Sequence, residues 1–129
     1  MNQMKLCAGV VTTRLLETKD FYFALGFQVK FETDWYLLLE APGSGDELAF
    51  LLPQLPQQAH VFRPAFDGHG LFVTVEVADV DAVHTAFQQV SGLEIAVSLR
   101  DEPWGDRHFA VVDPNGVALD FVTRFEPAA

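Results

Sequence analysis

Residues 101–122 read DEPWGDRHFAVVDPNGVALDFV, two apolar stretches joined through Asp113-Pro114-Asn115-Gly116. Proline fixes φ at the second turn position and glycine supplies a left-handed residue, the signature of a three-residue hairpin loop ending in a bulge. In that register Asp113 faces Val117, Ala110 lies opposite Asp120, and His108 lies diagonal to Asp120. One face then carries Phe109, Val111, Val117, Leu119 and Phe121, a continuous bulky core. The other carries His108, Ala110, Val112, Ala118, Asp120 and Val122. A one-residue slip would set Arg107 and Phe109 beside Asp120 and destroy this division, so the pattern selects the first register. Aspartate packs poorly in strands and is costly to desolvate, so Asp120 needs solvent, a partner or a ligand. Two readings stand: Asp120 pairs with His108 or water on an open sheet face, or it serves a ligand in the space left by Ala110 and Ala118.

Outward from this hairpin the chain repeats one order of elements. In the first half a strand over Leu6–Val11 leads into a helix over Thr13–Leu25, with Leu15, Tyr22 and Leu25 on one stripe and Gly26 as its stop. Strands follow at Phe27–Phe31, Trp35–Glu40 and Glu47–Leu52, the last two joined by Pro42-Gly43-Ser44-Gly45-Asp46. The second half opens with a strand over Leu71–Val77 and a helix capped by Asp79, bearing Val80, Val83, Phe87 and Val90 at helical spacing, with Gly92 as its stop. Strands over Glu94–Leu99, Arg107–Val112 and Val117–Val122 complete it. Each half is βαβββ. Module one spans about 4–52, a connector rich in Pro and Gln about 53–70, and module two about 71–124. So long a connector is either a lid over a site or a surface linker whose Phe62 and Phe66 plug the core edge.

Composition narrows the partners. The 129 residues suit one domain, and half are hydrophobic, twelve of them Phe, which is ample for a core. A formal charge of −10 with eight Lys and Arg excludes the basic patch that nucleic acid or an anionic membrane requires. No apolar run reaches the roughly 18 residues of a membrane span. The single Cys7 can form no internal disulfide, and the N-terminus lacks a secretory pattern, so the expected location is cytoplasmic.

Two βαβββ units, the helix end Phe21-Tyr22-Phe23-Ala24-Leu25-Gly26-Phe27, and the terminal Asp113-Pro114-Asn115-Gly116 followed by Asp120 together resemble the glyoxalase, bleomycin resistance and extradiol dioxygenase superfamily, the vicinal oxygen chelate proteins. The resemblance covers nearly the whole chain. It implies an α+β fold in which two tandem modules form a cup-shaped, mostly antiparallel eight-stranded sheet with the helices outside, and commonly a homodimer. It also implies a divalent metal held by His, Gln or Glu on the first strand of each module and Glu on the last. Those positions fall here at Cys7, Phe72 and Asp120, with Ala49 on the last strand of module one. Only Asp120 offers an oxygen, so neither a metal nor another cofactor is expected.

Superfamily members without the metal set resemble the bleomycin resistance type, acidic dimers that sequester a drug-like molecule. On that reading the ligand-binding residues are His108 and Asp120 as polar anchors, Phe72 and Trp35 as walls, and Trp104 with Arg107 at the rim, where Arg107 neutralises Asp106 or Glu102 or receives an anionic ligand. Tyr36 and Phe50 are further stacking candidates, although alternation turns Phe50 toward the helix. The competing reading is a lyase, isomerase or dioxygenase-type enzyme acting on a small oxygenated substrate, with the His108 and Asp120 pair moving a proton or His69 recruited from the connector to a metal. A third is an accessory subunit with a vestigial site. His84 reads as structural, His60 as a solvated loop residue, and Cys7 as a small buried hydrophobe.

Overall fold

The computed structural model describes residues 2–125. Between Asp67 and Gly68 the chain divides into two compact units. In the first, β1 (Cys7–Val11) is followed by α1 (Leu15–Ala24), β2 (Gln28–Glu32), β3 (Tyr36–Glu40) and β4 (Glu47–Leu51). The sheet order is β1-β4-β3-β2, with β1 parallel to β4 and the other pairs antiparallel. The second unit repeats this with β5 (Phe72–Glu76), α2 (Val80–Phe87), β6 (Ile95–Asp101), β7 (Asp106–Val112) and β8 (Ala118–Arg124), in the order β5-β8-β7-β6. The eight expected strands therefore form two four-stranded sheets, each with one parallel pair.

Each unit packs its helix on one face of its sheet. Tyr22 on α1 is fully buried, with its ring 5.1 Å from Phe27 and 5.4 Å from Phe50, beside Val10, Leu37 and Leu39. In the second unit Phe109 stacks on Phe121 at 5.3 Å, and Phe87 of α2 meets both rings edge-on. His84 also packs edge-on against Phe109, at 5.0 Å, in the structural role read from its helix position. Burying each such aromatic contributes roughly 1.5–3 kcal/mol, which anchors the strands that hold the site.

Local signals place the ends of these elements. Gly26, at φ 98°, stops α1 while Leu25 and Gly26 donate to the carbonyls of Tyr22 and Phe23. Asp79 caps α2 by accepting from the Ala82 amide at 3.1 Å. The far end of α2 differs from expectation. The helix stops at Phe87, and the amides of Gln89 and Val90 donate to Ala86 and Phe87, so the chain tightens into turns before Gly92 at φ 78°.

The terminal hairpin has the register read from its turn. Ala110 faces Asp120, Val112 faces Ala118 and Phe109 faces Phe121. Asp113 fixes the turn, its Oδ1 accepting from the amides of Asn115 at 2.8 Å and Val117 at 2.9 Å. Cys7 corrects an expectation: it is exposed, as are Ala8 and Gly9 after it, because β1 is the edge of its sheet and its first three residues lie open on both faces. Partial desolvation and the Glu47 carboxylate hold its thiol above the ordinary range, which leaves it a poor nucleophile.

Candidate functional site

On the face of the second sheet turned away from α2, side chains fall into three rows across β5, β8 and β7. Phe72, Ala118 and Val112 form the first, Thr74, Asp120 and Ala110 the second, and Glu76, Val122 and His108 the third. Phe72 is 67% exposed and Val112 is exposed beside it, so the first row is an open apolar strip. The small side chains of Ala110 and Ala118 leave Asp120 standing among them.

His108 is held from both sides. Its Nδ1 lies 2.6 Å from Asp120 Oδ1 and its Nε2 lies 2.9 Å from Glu102 Oε2. Two carboxylate acceptors require two N–H donors, so this geometry is that of an imidazolium. Burial alone would lower the His108 pKa, but the hydrogen bonds and charges of Asp120 and Glu102 outweigh it and raise the group above the ordinary histidine range. Glu102 responds in the opposite sense. Its hydrogen bond to His108 lowers its pKa, and Arg100, whose Nε donates to Glu102 Oε2 at 3.0 Å, acts with it. The result is a chain of alternating charge, Arg100, Glu102, His108 and Asp120, across one sheet face.

Arg107 is placed otherwise than expected. Strand alternation turns it to the face opposite His108, where it pairs with Asp81 on α2 at 2.8 Å and with Asp101 at 3.3 Å, not with Asp106 or Glu102. Trp104 is 60% exposed in the β6–β7 turn, and its indole N–H donates to Asp106 at 2.9 Å.

The first unit contains an open apolar pocket of about 380 Å³, lined by Phe31, Trp35, Tyr36, Leu51, Gln58 and Phe62. Trp35 and Tyr36 are stacking candidates in the sequence, whereas Phe31 and Gln58 are not among them. Phe31 reaches this face through a bulge. Val29 pairs with buried Leu39, the register shifts at Lys30, and Phe31 then pairs with Leu38 on the opposite face. Gln58 and Phe62 come from the connector, which folds back on itself. The Gln54 amide donates to the Arg63 carbonyl, and the Arg63 guanidinium donates to the carbonyls of Gln58 at 2.8 Å and Pro56 at 3.0 Å. Burial, then the charges of Cys7 and Glu47, raise the Tyr36 pKa, so its phenol stays neutral.

The positions that the resemblance assigns to a metal do not fit one. Phe72 and Ala49 carry no donor atom, and Oδ1 of Asp120 is engaged by His108. Among the described residues no group of three or more His, Cys, Asp or Glu is arranged to hold a metal ion. No described helix is long and apolar enough to cross a membrane.

Comparison with known proteins gives the same architecture. The family model described as Glyoxalase/Bleomycin resistance protein/Dioxygenase superfamily matches residues 6–121. No curated protein matches. Among solved structures, a glyoxalase/bleomycin resistance protein/dioxygenase from Nocardioides is 22% identical with a TM-score of 0.79, covering 99% of this chain and 87% of that one. A bleomycin-binding protein complexed with bleomycin is 19% identical with a TM-score of 0.70, covering 97% and 100%. An antibiotic binding protein from Streptomyces sp. CB03234 is 21% identical with a TM-score of 0.73, covering 96% and 98%. At these identities the likeness establishes the fold.

Proposed function

This chain belongs to the glyoxalase/bleomycin resistance protein/dioxygenase superfamily, and from that premise we propose that it captures a small, partly aromatic molecule without a metal and without transforming it. The observation that carries this reading is the pocket of the first unit, where the rings of Phe31 and Tyr36 on the sheet, Trp35 in the β2–β3 turn and Phe62 of the connector line a volume suited to a small organic ligand. The binding activities named for two proteins of the same fold support it. Phe72 and Asp120 on the second unit offer a further apolar wall and a polar anchor, and Trp104 an exposed aromatic edge. On this reading the protein works in the cytoplasm as a homodimer, with no nucleic-acid or membrane partner, and the small molecule is an antibiotic or a metabolite.

The enzymatic alternative draws on the His108 and Asp120 pair. A general base needs a free nitrogen, and both ring nitrogens of His108 are bonded to carboxylates, so proton transfer would first have to break one of those bonds. The donor set likewise argues against a metal-centred reaction, through Phe72 and Ala49. Binding is therefore the better-supported reading.

Native mass spectrometry of the protein isolated from its host's extract tests it. A bound organic molecule released unchanged on denaturation is the expected result. Release of a chemically altered compound, or turnover of the captured molecule by added protein, overturns the reading in favour of an enzyme.

A further inference from the structure

The rings that line the pocket of the first unit are set at angles that restrict the shape of what can enter. Phe31 and Tyr36 stand 6.2 Å apart between centroids with their planes 53° apart, and Trp35 stands 6.0 Å from Tyr36 at 60°. Phe62 of the connector adds a fourth ring, and Leu51 lies opposite Tyr36 on β4. Tyr36 is thus steeply tilted from both of its neighbours. A flat ring stacked on Tyr36 meets Phe31 and Trp35 only at an incline, and one stacked on either neighbour is inclined to Tyr36. A compact, rounded group can touch all three. Phe31 and Phe62 keep 55% and 51% of their surface exposed, and because both line this pocket the same occupant covers them together.

The chemistry of the walls restricts the charge. The lining is almost entirely apolar, and among the described residues that form it none is charged. A group bearing N–H or O–H bonds would give up its water partners there without replacement, which is costly. A carboxylate would do the same and would be repelled by the negative ring faces. Those faces attract a cation held within about 6 Å of their centroids. A fully alkylated ammonium group satisfies every one of these conditions: it is rounded, positive and without an N–H. The formal charge of −10 on the chain further raises the local concentration of cations. Arg63, the one Lys or Arg of the connector, is not among the lining residues and gives its guanidinium to the carbonyls of Gln58 and Pro56.

We infer that this pocket is a cage for a compact, fully alkylated ammonium group such as trimethylammonium, and that the molecule captured by this protein carries one. This assignment rests on the small-molecule reading above and specifies its ligand class. The pocket is open on one side, so the rest of the molecule and part of the hydration of the cation remain outside it.

Four soluble probes separate shape from charge. Choline presents trimethylammonium, neohexanol is its neutral carbon isostere, ethanolamine keeps the positive charge but has N–H bonds in place of methyl groups, and benzyl alcohol presents a flat neutral ring. NMR titrations followed at the ring resonances of Phe31, Trp35 and Tyr36 are expected to show choline binding about tenfold more tightly than any of the other three. Phe31→Leu and Trp35→Leu keep an apolar wall but remove a ring face, so each is expected to cut the advantage of choline over neohexanol several-fold. Phe31 is exposed on the edge strand β2, so its replacement leaves the fold in place. Any of the other three probes binding as tightly as choline, or a choline preference untouched in either variant, overturns the cage and leaves small-molecule capture standing. If none of the four binds, the cage falls, and the native mass spectrum decides the rest: a bound molecule keeps the capture reading, and its absence removes that reading as well.

Discussion

His108 Nδ1 and Asp120 Oδ1 meet at 2.6 Å across the β7–β8 pair, on a diagonal set by the Ala110 and Asp120 register. The contact makes stability depend on pH in a definite sense. His108 has a raised folded pKa, so its contribution is fully present below the unfolded value of 6.5 and is lost as pH rises through the folded value. Glu102 has a lowered folded pKa, so its contribution is present above the unfolded value of 4.5 and is lost as pH falls through the folded value. The network is therefore fully formed between about pH 4.5 and 6.5. Thermal unfolding followed across pH 4 to 9 should show its alkaline loss of stability reduced in Asp120→Asn, and the His108 ring titration seen by NMR should move down in that variant. An unchanged His108 titration would mean that the 2.6 Å contact does not hold in solution.

Gly116 closes the hairpin turn at φ 91°, and a β-carbon built there would lie 2.7 Å from the Gly68 carbonyl oxygen. Backbone against backbone cannot yield as a flexible side chain would. Gly116→Ala should therefore cost about 1–3 kcal/mol from the left-handed conformation alone, with the clash adding to it. Gly43→Ala, at φ 80° but with nothing within 4 Å, is the control for the conformational part. Chemical denaturation of both variants measures the difference, and equal losses would remove any role for the approach of Gly68.

The contrast between these sites explains what could be read from the sequence. The turn at Asp113 to Gly116 is decided by residues adjacent in the chain, so its register, the two hairpin faces and the nearness of His108 to Asp120 followed from local stereochemistry. Gly26 ended α1 for the same reason. Glu102 escaped as a partner of His108 because it lies just past β6, whose register against β7 shifts twice between Ile95 and Arg100, and no alternation rule survives two bulges. Phe31 escaped likewise: simple alternation groups it with Phe27 and Val29, and only the bulge at Lys30 turns it to the pocket. Gln58 carried no signal, since its position depends on how Arg63 folds the connector back on itself.

Arg107 shows a cost of reading a charge by its neighbours in sequence. Its pairs with Asp81 and Asp101 lie on the helix side, away from Asp120, and the side chains of both acids are more than half exposed. Exposed ion pairs are screened by solvent and contribute little, so Arg107→Ala should leave stability nearly unchanged. It should also leave the affinity for any captured ligand unchanged. Ligand titrations of wild-type and Arg107→Ala protein check this, and a tenfold loss of affinity would return Arg107 to the binding surface.

Arg63 offers the opposite expectation, a residue outside the pocket wall whose loss is felt inside it. Its guanidinium bonds the carbonyls of Pro56 and Gln58, and its own carbonyl accepts from Gln54, which sits at φ 57°, a conformation few non-glycine residues hold without support. Removing the guanidinium in Arg63→Ala frees two carbonyls and leaves Gln54 with less to hold it. The loop from Gln54 to Arg63 should then exchange its amide hydrogens faster, while the strands, whose ladders do not involve Arg63, keep their protection. Because Gln58 and Phe62 belong to that loop, affinity for the captured small molecule should fall roughly tenfold as the ordering cost moves from folding to binding. Arg63→Lys keeps the charge but not the paired donors, so it should resemble Arg63→Ala. Hydrogen exchange resolved by residue tests the two halves together: loosening of the loop without a loss of affinity would show that the connector merely passes the pocket and does not help to form it.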